Sequence, residues 1–396
     1  MDGASKTVGS HVAELKEELL EATSYYSHDY FSARERFLTA STRLGLEHHS
    51  LPIHAPSPNS EPLTIDITVA GAAKPKTALV LSSGVHGVEG LFGSAVQTAF
   101  LEQQVPNWLP SEGSAVVLIH AVNPFGFAWR RRFNEGNVDL NRNFLLAEER
   151  YAGSPPLSGA FRSAMKPNRP RTRFGFWTAR MALLALRHGI QSFWETIPVG
   201  QYDYPDWLYF GGHGPTESSQ ALESFLPTLL DEAKEVVHLD FHTGLGRWAE
   251  CELLVSECEG LGDCASSEWW IEHFEADMVR KIKTFTRAYE VRGGFGPWLR
   301  ALFPDSKYRF ATAEFGTYSP MRVIGALADE LRWHGELVTD SRARASRRRL
   351  ADTFVPPSRS WRTKSLRTGL SLVQRAANVL WHSSNLHPHV LARQEV

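Results

Sequence analysis

The sequence predicts an α/β protein built on a largely parallel sheet, and three observations carry that prediction. Apolar runs of strand length alternate with segments of helical spacing along most of the chain. One run, Ala115-Val116-Val117-Leu118-Ile119, is continuously apolar, as expected of a strand covered on both faces. Residues with distinctive chemistry fall at or just beyond the C-terminal ends of strands, where open α/β sheets place their ligands.

The elements follow in order. Residues 1–60 read as a helical segment and then loop: Val12, Leu15, Leu19 and Leu20 recur at helical spacing behind Ser10, a suitable N-cap. Pro56, Pro58 and Pro62 lead into residues 63–69, whose strict alternation is that of a half-buried strand. Residues 77–81 form the next strand. A glycine-rich turn with His86 and Glu89 follows, then a helix through Ala95 to Leu101. The apolar strand 115–119 ends at an Asn123-Pro124 turn, ahead of the basic loop Arg130-Arg131-Arg132. Residues 153–219 are rich in Pro, Gly and aromatics, with a helix near Trp177 to Leu186, and a connection this long reads as an insertion or lid. Two late strands cover residues 235–242 and 310–315, with 251–255 pairing nearby. Beyond residue 338, Arg342, Arg344, Arg347, Arg348 and Arg349 read as a solvated helix face, and 366–380 as a further helix. The expectation is one domain over 1–396, with 1–60, 153–219 and 338–396 as elaborations.

Composition excludes several classes. The 396 residues are 42% hydrophobic, enough to build a sizeable core. A net charge of −2 gives no field that favours nucleic acid or an anionic membrane. No apolar run approaches the ~18 residues of a membrane span, and the N-terminus lacks a signal-peptide core, so a cytoplasmic protein without membrane partners is expected. The three cysteines, Cys251, Cys258 and Cys264, are odd in number and lack CxxC spacing, which argues against both a disulfide framework and a cysteine metal site.

Chemistry concentrates elsewhere. His86 and Glu89 are i and i+3 on the opening turn of a helix and share a face. Spacing alone is weak evidence, since His11-Val12-Ala13-Glu14 matches it on a surface helix. The His86 pair differs in having a strand before it and glycines at 84, 87 and 90 around it. His242, at a later strand end, supplies a third donor if its strand lies beside that of His86. Asp240 shares its strand face and either supports it or is structural. Two imidazoles and a carboxylate leave an open metal position for a water, and Glu314 at the last strand end is the group to take a proton.

The run Val138-Asp139-Leu140-Asn141-Arg142-Asn143-Phe144 completes the set. With Asn123-Pro124-Phe125-Gly126-Phe127, Gly200-Gln201-Tyr202 and the stretch from Asp240 to Gly246, it resembles the M14 metallocarboxypeptidase superfamily, and its DUF2817 branch in particular, over about residues 20–380. The resemblance implies a mixed, mostly parallel sheet of about eight strands with helices on both faces, a three-layer sandwich. It implies one zinc ion per chain on His86, Glu89 and His242, with Glu314 as general base. It further implies that Asp139 orients His86, that Arg132 polarises the scissile carbonyl, and that Asn141 and Arg142 receive a terminal carboxylate. The implied substrate is a small peptide or an N-acyl amino acid, because deacylases of the aspartoacylase and succinylglutamate desuccinylase type share the constellation. A non-catalytic relative is the rival reading, and a nucleotide site is disfavoured by the absence of GxGxxG and GxxxxGK[ST]. Phe125 and Asn137 replace the aspartate and glycine usual in the family, and its tyrosine has three candidates, Tyr202, Tyr204 and Tyr318.

Overall fold

A computed structural model describes residues 20–107, 112–165, 177–256, 267–282, 292–333 and 340–381. Within them eight strands make one sheet: β1 (Glu47–Ile53), β2 (Leu63–Gly71), β3 (Thr77–Ser83), β4 (Ser114–His120), β5 (Glu235–Gly244), β6 (Cys251–Ser256), β7 (Val279–Ile282) and β8 (Lys307–Gly316). Their spatial order is β1-β2-β4-β3-β5-β8-β6-β7. The central β4, β3, β5 and β8 run parallel to one another. Antiparallel pairings join β1 to β2, β2 to β4 and β6 to β8, while β7 is parallel to β6. The sheet is mixed and mostly parallel, as the sequence implies.

Helices cover both faces. In chain order they are α1 (Tyr30–Arg43), α2 (Gly90–Ala99), α3 (Pro124–Trp129), α4 (Ser158–Met165), α5 (Trp177–His188), α6 (Ile190–Trp194), α7 (Glu217–Leu230), α8 (Ser267–His273), α9 (Phe295–Leu302), α10 (Pro320–Leu331), α11 (Ser341–Phe354) and α12 (Arg359–Trp381). Strand alternation sends Leu79, Leu81, Val237, Leu239 and Phe241 to one face, where they pack with Phe92 of α2, Leu350 of α11 and Trp361 of α12. Val80, Val236, Tyr308 and Phe310 point the other way, against Leu222 of α7 and Phe295 and Leu299 of α9. Burying each large apolar side chain contributes roughly 1.5–3 kcal/mol, so these two layers fix the parallel strands beneath the site.

Three sequence expectations change here. Residues 63–69, read as a half-buried strand, are buried on both faces in β2, because β1 and β4 flank it and helices cover the sheet. Residues 47–53, read as loop, form the edge strand β1 in register with β2. Polar side chains along most of its length and Pro52 hide the strand from pattern reading, and an edge tolerates both because one side has no ladder to complete. Arg347, read as part of a solvated face, is buried 3.8 Å from the equally buried Glu330, which also binds Arg131 at 2.7 Å. Among the described residues, α1 is a further N-terminal helix; an Asp29–Ser32 capping box starts it, and Tyr30, Ala33, Phe37 and Ala40 form its buried stripe. The helix proposed from Val12 falls on residues 1–19, outside the described residues, as do Cys258 and Cys264. No helix among the described residues is long and apolar enough to cross a membrane.

Candidate metal centre

Three neighbouring parallel strands deliver the site. His86 lies three residues past β3 and caps the 3₁₀ turn Gly87–Glu89 that opens α2. A Cβ on Gly87 would sit 2.1 Å from the Gly126 carbonyl carbon, so a glycine is needed for this turn to lie against α3. His242 belongs to β5, and Glu314 is its register partner on β8. The parallel register of β3 with β5 brings the turn beside His242.

His86, Glu89 and His242 are buried, and among the described residues they form a cluster whose donor atoms could hold a metal ion. His86 Nδ1 is 2.9 Å from Glu89 Oε1 and 3.1 Å from His242 Nδ1, which is 3.2 Å from Glu89 Oε2. Donors on zinc at 2.0–2.1 Å in tetrahedral array are about 3.3 Å apart, so three convergent donors at this spacing fit such an ion closely. Each imidazole turns its other nitrogen to a buried carboxylate. His86 Nε2 is 3.1 Å from Asp139 Oδ1, and His242 Nε2 is 2.5 Å from Asp240 Oδ2. This is how metal-binding histidines are oriented and their tautomer chosen. Asp240 thus lies where it supports His242 directly.

Arg132 binds into the same cluster. Its Nε is 3.1 Å from Asp139 Oδ2, Nη1 is 3.1 Å from Glu89 Oε1, and Nη2 is 2.7 Å from His86 Nε2. Burial would lower its pKa, but Asp139 and the other acidic neighbours raise it, so it stays charged. Arg131 turns away to Glu330, which separates the two adjacent arginines by partner. Burial alone would raise the pKa values of Glu89 and Asp139, yet their cationic neighbours hold both below the usual carboxylate range. Glu314 behaves oppositely. Burial, reinforced by the charge of Glu89, pushes it up to about 7, while its Oε1 accepts a 2.7 Å hydrogen bond from the Leu245 amide. A carboxyl that titrates near neutrality beside a three-donor cluster is equipped to accept and return a proton.

Asn141 and Arg142 lie on the 3₁₀ turn that Asp139 caps. Asn141 Oδ1 accepts from the Phe295 amide at 3.0 Å. The Arg142 guanidinium donates to the carbonyls of Asn141, Pro198 and Val199, at 2.5, 2.5 and 3.1 Å. Its room comes from Gly200, where a Cβ would fall 2.7 Å from Arg142 Cδ. Among the described residues no carboxylate is within ion-pair distance of Arg142. The turn therefore also anchors residues 198–200.

Of the three tyrosine candidates, Tyr202 donates to the Arg142 carbonyl at 2.8 Å, Tyr204 packs on Arg162, and Tyr318 packs on Trp248 and Arg322. Sequence reasoning missed Tyr209. Its ring lies 5.2 Å from the Arg132 guanidinium carbon and 5.9 Å from that of Arg142, and its backbone takes a left-handed φ of 54°, uncommon for an aromatic residue. No spacing rule marks it; the nearest signal is its place downstream of Gly200-Gln201-Tyr202. Cys251 is a buried free thiol.

Parallel strand ends, a three-donor cluster and an adjacent high-pKa carboxyl together define an α/β protein with a candidate mononuclear metal centre. Residues 26–368 match the model of a family described as protein of unknown function (DUF2817), and the chain belongs to that family. Comparison with curated proteins finds no match. Among solved structures, the chain is similar to thrombin activatable fibrinolysis inhibitor at 12% identity, covering 90% of this chain and 75% of that one with a TM-score of 0.47. It is also similar to carboxypeptidase A from Helicoverpa armigera, at 13% identity, 93% and 81% coverage and a TM-score of 0.42. A third is a succinylglutamate desuccinylase from a Silicibacter species, at 14% identity, 83% and 67% coverage and a TM-score of 0.38.

Proposed function

We propose that this protein is a zinc-dependent hydrolase that cleaves an amide bond close to a free carboxylate. The observation that carries the reading is the pairing of His242 with Glu314 across β5 and β8, which sets a carboxyl titrating near 7 beside the His86–Glu89–His242 cluster. Zinc held by those three residues would activate a water molecule and polarise the substrate carbonyl. Glu314 takes the proton from the attacking water and hands it to the leaving amine, a task for which a pKa near the working pH is favourable. Arg132 holds a fixed positive charge at the cluster and favours negative charge developing on the carbonyl oxygen. Arg142, with carbonyl partners and no carboxylate among the described residues, supplies the charge that a substrate carboxylate would neutralise. Small peptides and N-acyl amino acids both present such a group, and an N-acyl amino acid deacylase is the second form of the same proposal.

The test is hydrolysis by the zinc-loaded protein of peptides and N-acyl amino acids, each paired with its carboxyl-amidated form. Wild type should prefer the acids, and Glu314→Gln, which keeps shape and loses basicity, should slow turnover at least ~100-fold with zinc retained. Near-normal turnover by that variant would refute the assigned base. Equal rates on acids and amides would refute the carboxylate requirement.

A further inference from the structure

A line of polar side chains runs from the candidate metal centre into the core. Asp240, whose Oδ2 meets His242 Nε2, has its Oδ1 2.6 Å from Ser82 Oγ on β3. Ser82 Oγ is 2.7 Å from His238 Nε2, one further step down the same face of β5. His238 Nδ1 is 2.8 Å from the Tyr308 hydroxyl on β8. Ser82, His238, Asp240 and Tyr308 are all at most 1% exposed. Phe295, Phe303 and Phe310 pack around the inner end, with ring centroids 4.9–5.7 Å from His238 or Tyr308.

Proton counting gives this line a single direction. An ionised Asp240 only accepts, so the one Ser82 proton points to it. Ser82 Oγ must then accept from His238, which places the His238 proton on Nε2. His238 Nδ1 is left to accept from the Tyr308 hydroxyl. At the outer end the second Asp240 oxygen requires a proton on His242 Nε2, and this leaves Nδ1 as the nitrogen that faces Glu89 and His86, the one that gives up its proton when an ion binds. Burial lowers the His238 pKa to about 4, in keeping with a neutral ring carrying one proton.

Four polar groups this deep are costly unless every partner is in place, and here each link supplies the next. The three inner residues lie outside the donor cluster. We infer that Ser82, His238 and Tyr308 are positioning residues: they lock the orientation of Asp240, and through it the tautomer in which His242 presents Nδ1 as a metal donor. The inference rests on the metal centre proposed above for its purpose, though the tautomers it requires stand by themselves.

Imidazole ¹⁵N spectra of the metal-free protein and chelator-competition measurement of zinc affinity test it together. Wild type should show His238 and His242 each protonated at Nε2. Ser82→Ala should disturb the His242 signals and weaken zinc binding about 10–100-fold, with Ser82→Thr restoring both. Tyr308→Phe, which preserves the ring packing, should weaken zinc binding less than Ser82→Ala does. A wild-type His238 protonated at Nδ1 would overturn the proposal, as would a Ser82→Ala protein with His242 signals and zinc affinity within about twofold of wild type. Failure of wild type to bind zinc with both tautomers as drawn would remove the metal reading and leave the tautomer lock supported.

Discussion

His86 and His242 contribute the same atom, Nδ1, to one cluster, yet the chain steadies them by different means. His242 projects from a central strand, and its Nε2 is aimed at one carboxylate backed by the line through Ser82 and His238. His86 projects from a turn, and its Nε2 faces both an acceptor, Asp139 at 3.1 Å, and a donor, Arg132 at 2.7 Å. One nitrogen cannot satisfy both at once. The strand histidine has its tautomer fixed in advance, whereas that of the turn histidine is a contest between Asp139 and Arg132. Equivalent donors need not be equally preorganised, and the weaker preorganisation sits where Arg132 has been brought in.

The largest expected effect treats the two histidines alike. Wild-type protein should hold about one zinc per chain, and His86→Ala/His242→Ala should hold none while melting as a folded protein. Stoichiometric zinc in the double variant, measured by elemental analysis, would show that neither histidine holds the ion.

The two supporting carboxylates should then separate the histidines. In Asp139→Asn, Arg132 keeps its place at His86 Nε2 and draws the proton to Nδ1, so zinc affinity should fall about 100-fold. In Asp240→Asn, the amide oxygen still accepts from His242 while the amide nitrogen donates to Ser82, which reverses the line and moves the His238 proton to Nδ1. A loss nearer 10-fold is expected there. Equal losses in the two variants, or an unmoved His238 proton in the second, would break the contrast.

The smallest effect is on stability and concerns the metal-free protein. Burial opposes a charge on His242, but Asp240 raises its pKa well above the ordinary value, and Glu314 is raised to about 7. Groups raised in the folded state bind extra protons between their unfolded and folded pKa values, so each stabilises at low pH and loses that contribution as pH rises. Glu89, Asp139 and Asp240, lowered in the fold, are ionised in both states above about pH 5 and add no slope there. Metal-free stability should therefore fall from pH 5 to 8. Glu314→Gln should remove at most about 3 kcal/mol of that fall, read from urea unfolding at each pH. An unchanged slope in the variant would show that Glu314 ionises normally.

Much of this geometry was legible from the sequence because its parts are local. The apolar run at 115–119 and polar residues at successive strand ends identify an α/β sheet and the edge where its chemistry lies, whereas 63–69, read from its alternation as half-buried, is buried on both faces and pairs antiparallel on both sides. What escaped depends on non-local register. Nothing near His238 announces that Ser82, 156 residues earlier, and Tyr308, 70 later, complete its hydrogen bonds. Tyr209 reaches Arg132 only because its segment returns across the site. Arg347 sits in a run of arginines whose other members give no reason to expect one to point inward. β1 lacks the alternation that betrays a buried strand, since its outer side is water.

The place of β8 in the sheet also sets a sequence of events. β5 and β6 are made before β8, yet β8 lies between them, so the two cannot reach their final places until residues 307–316 exist. His86, Glu89 and His242 need only β3 and β5, which pair directly. On a ribosome, where a chain emerges from its N-terminus, the three donors are therefore available while the edge of β5 is still open, and Glu314 arrives last. On the proposed reading, the donor set is complete before its base exists, and the order of the strands keeps the two apart during synthesis.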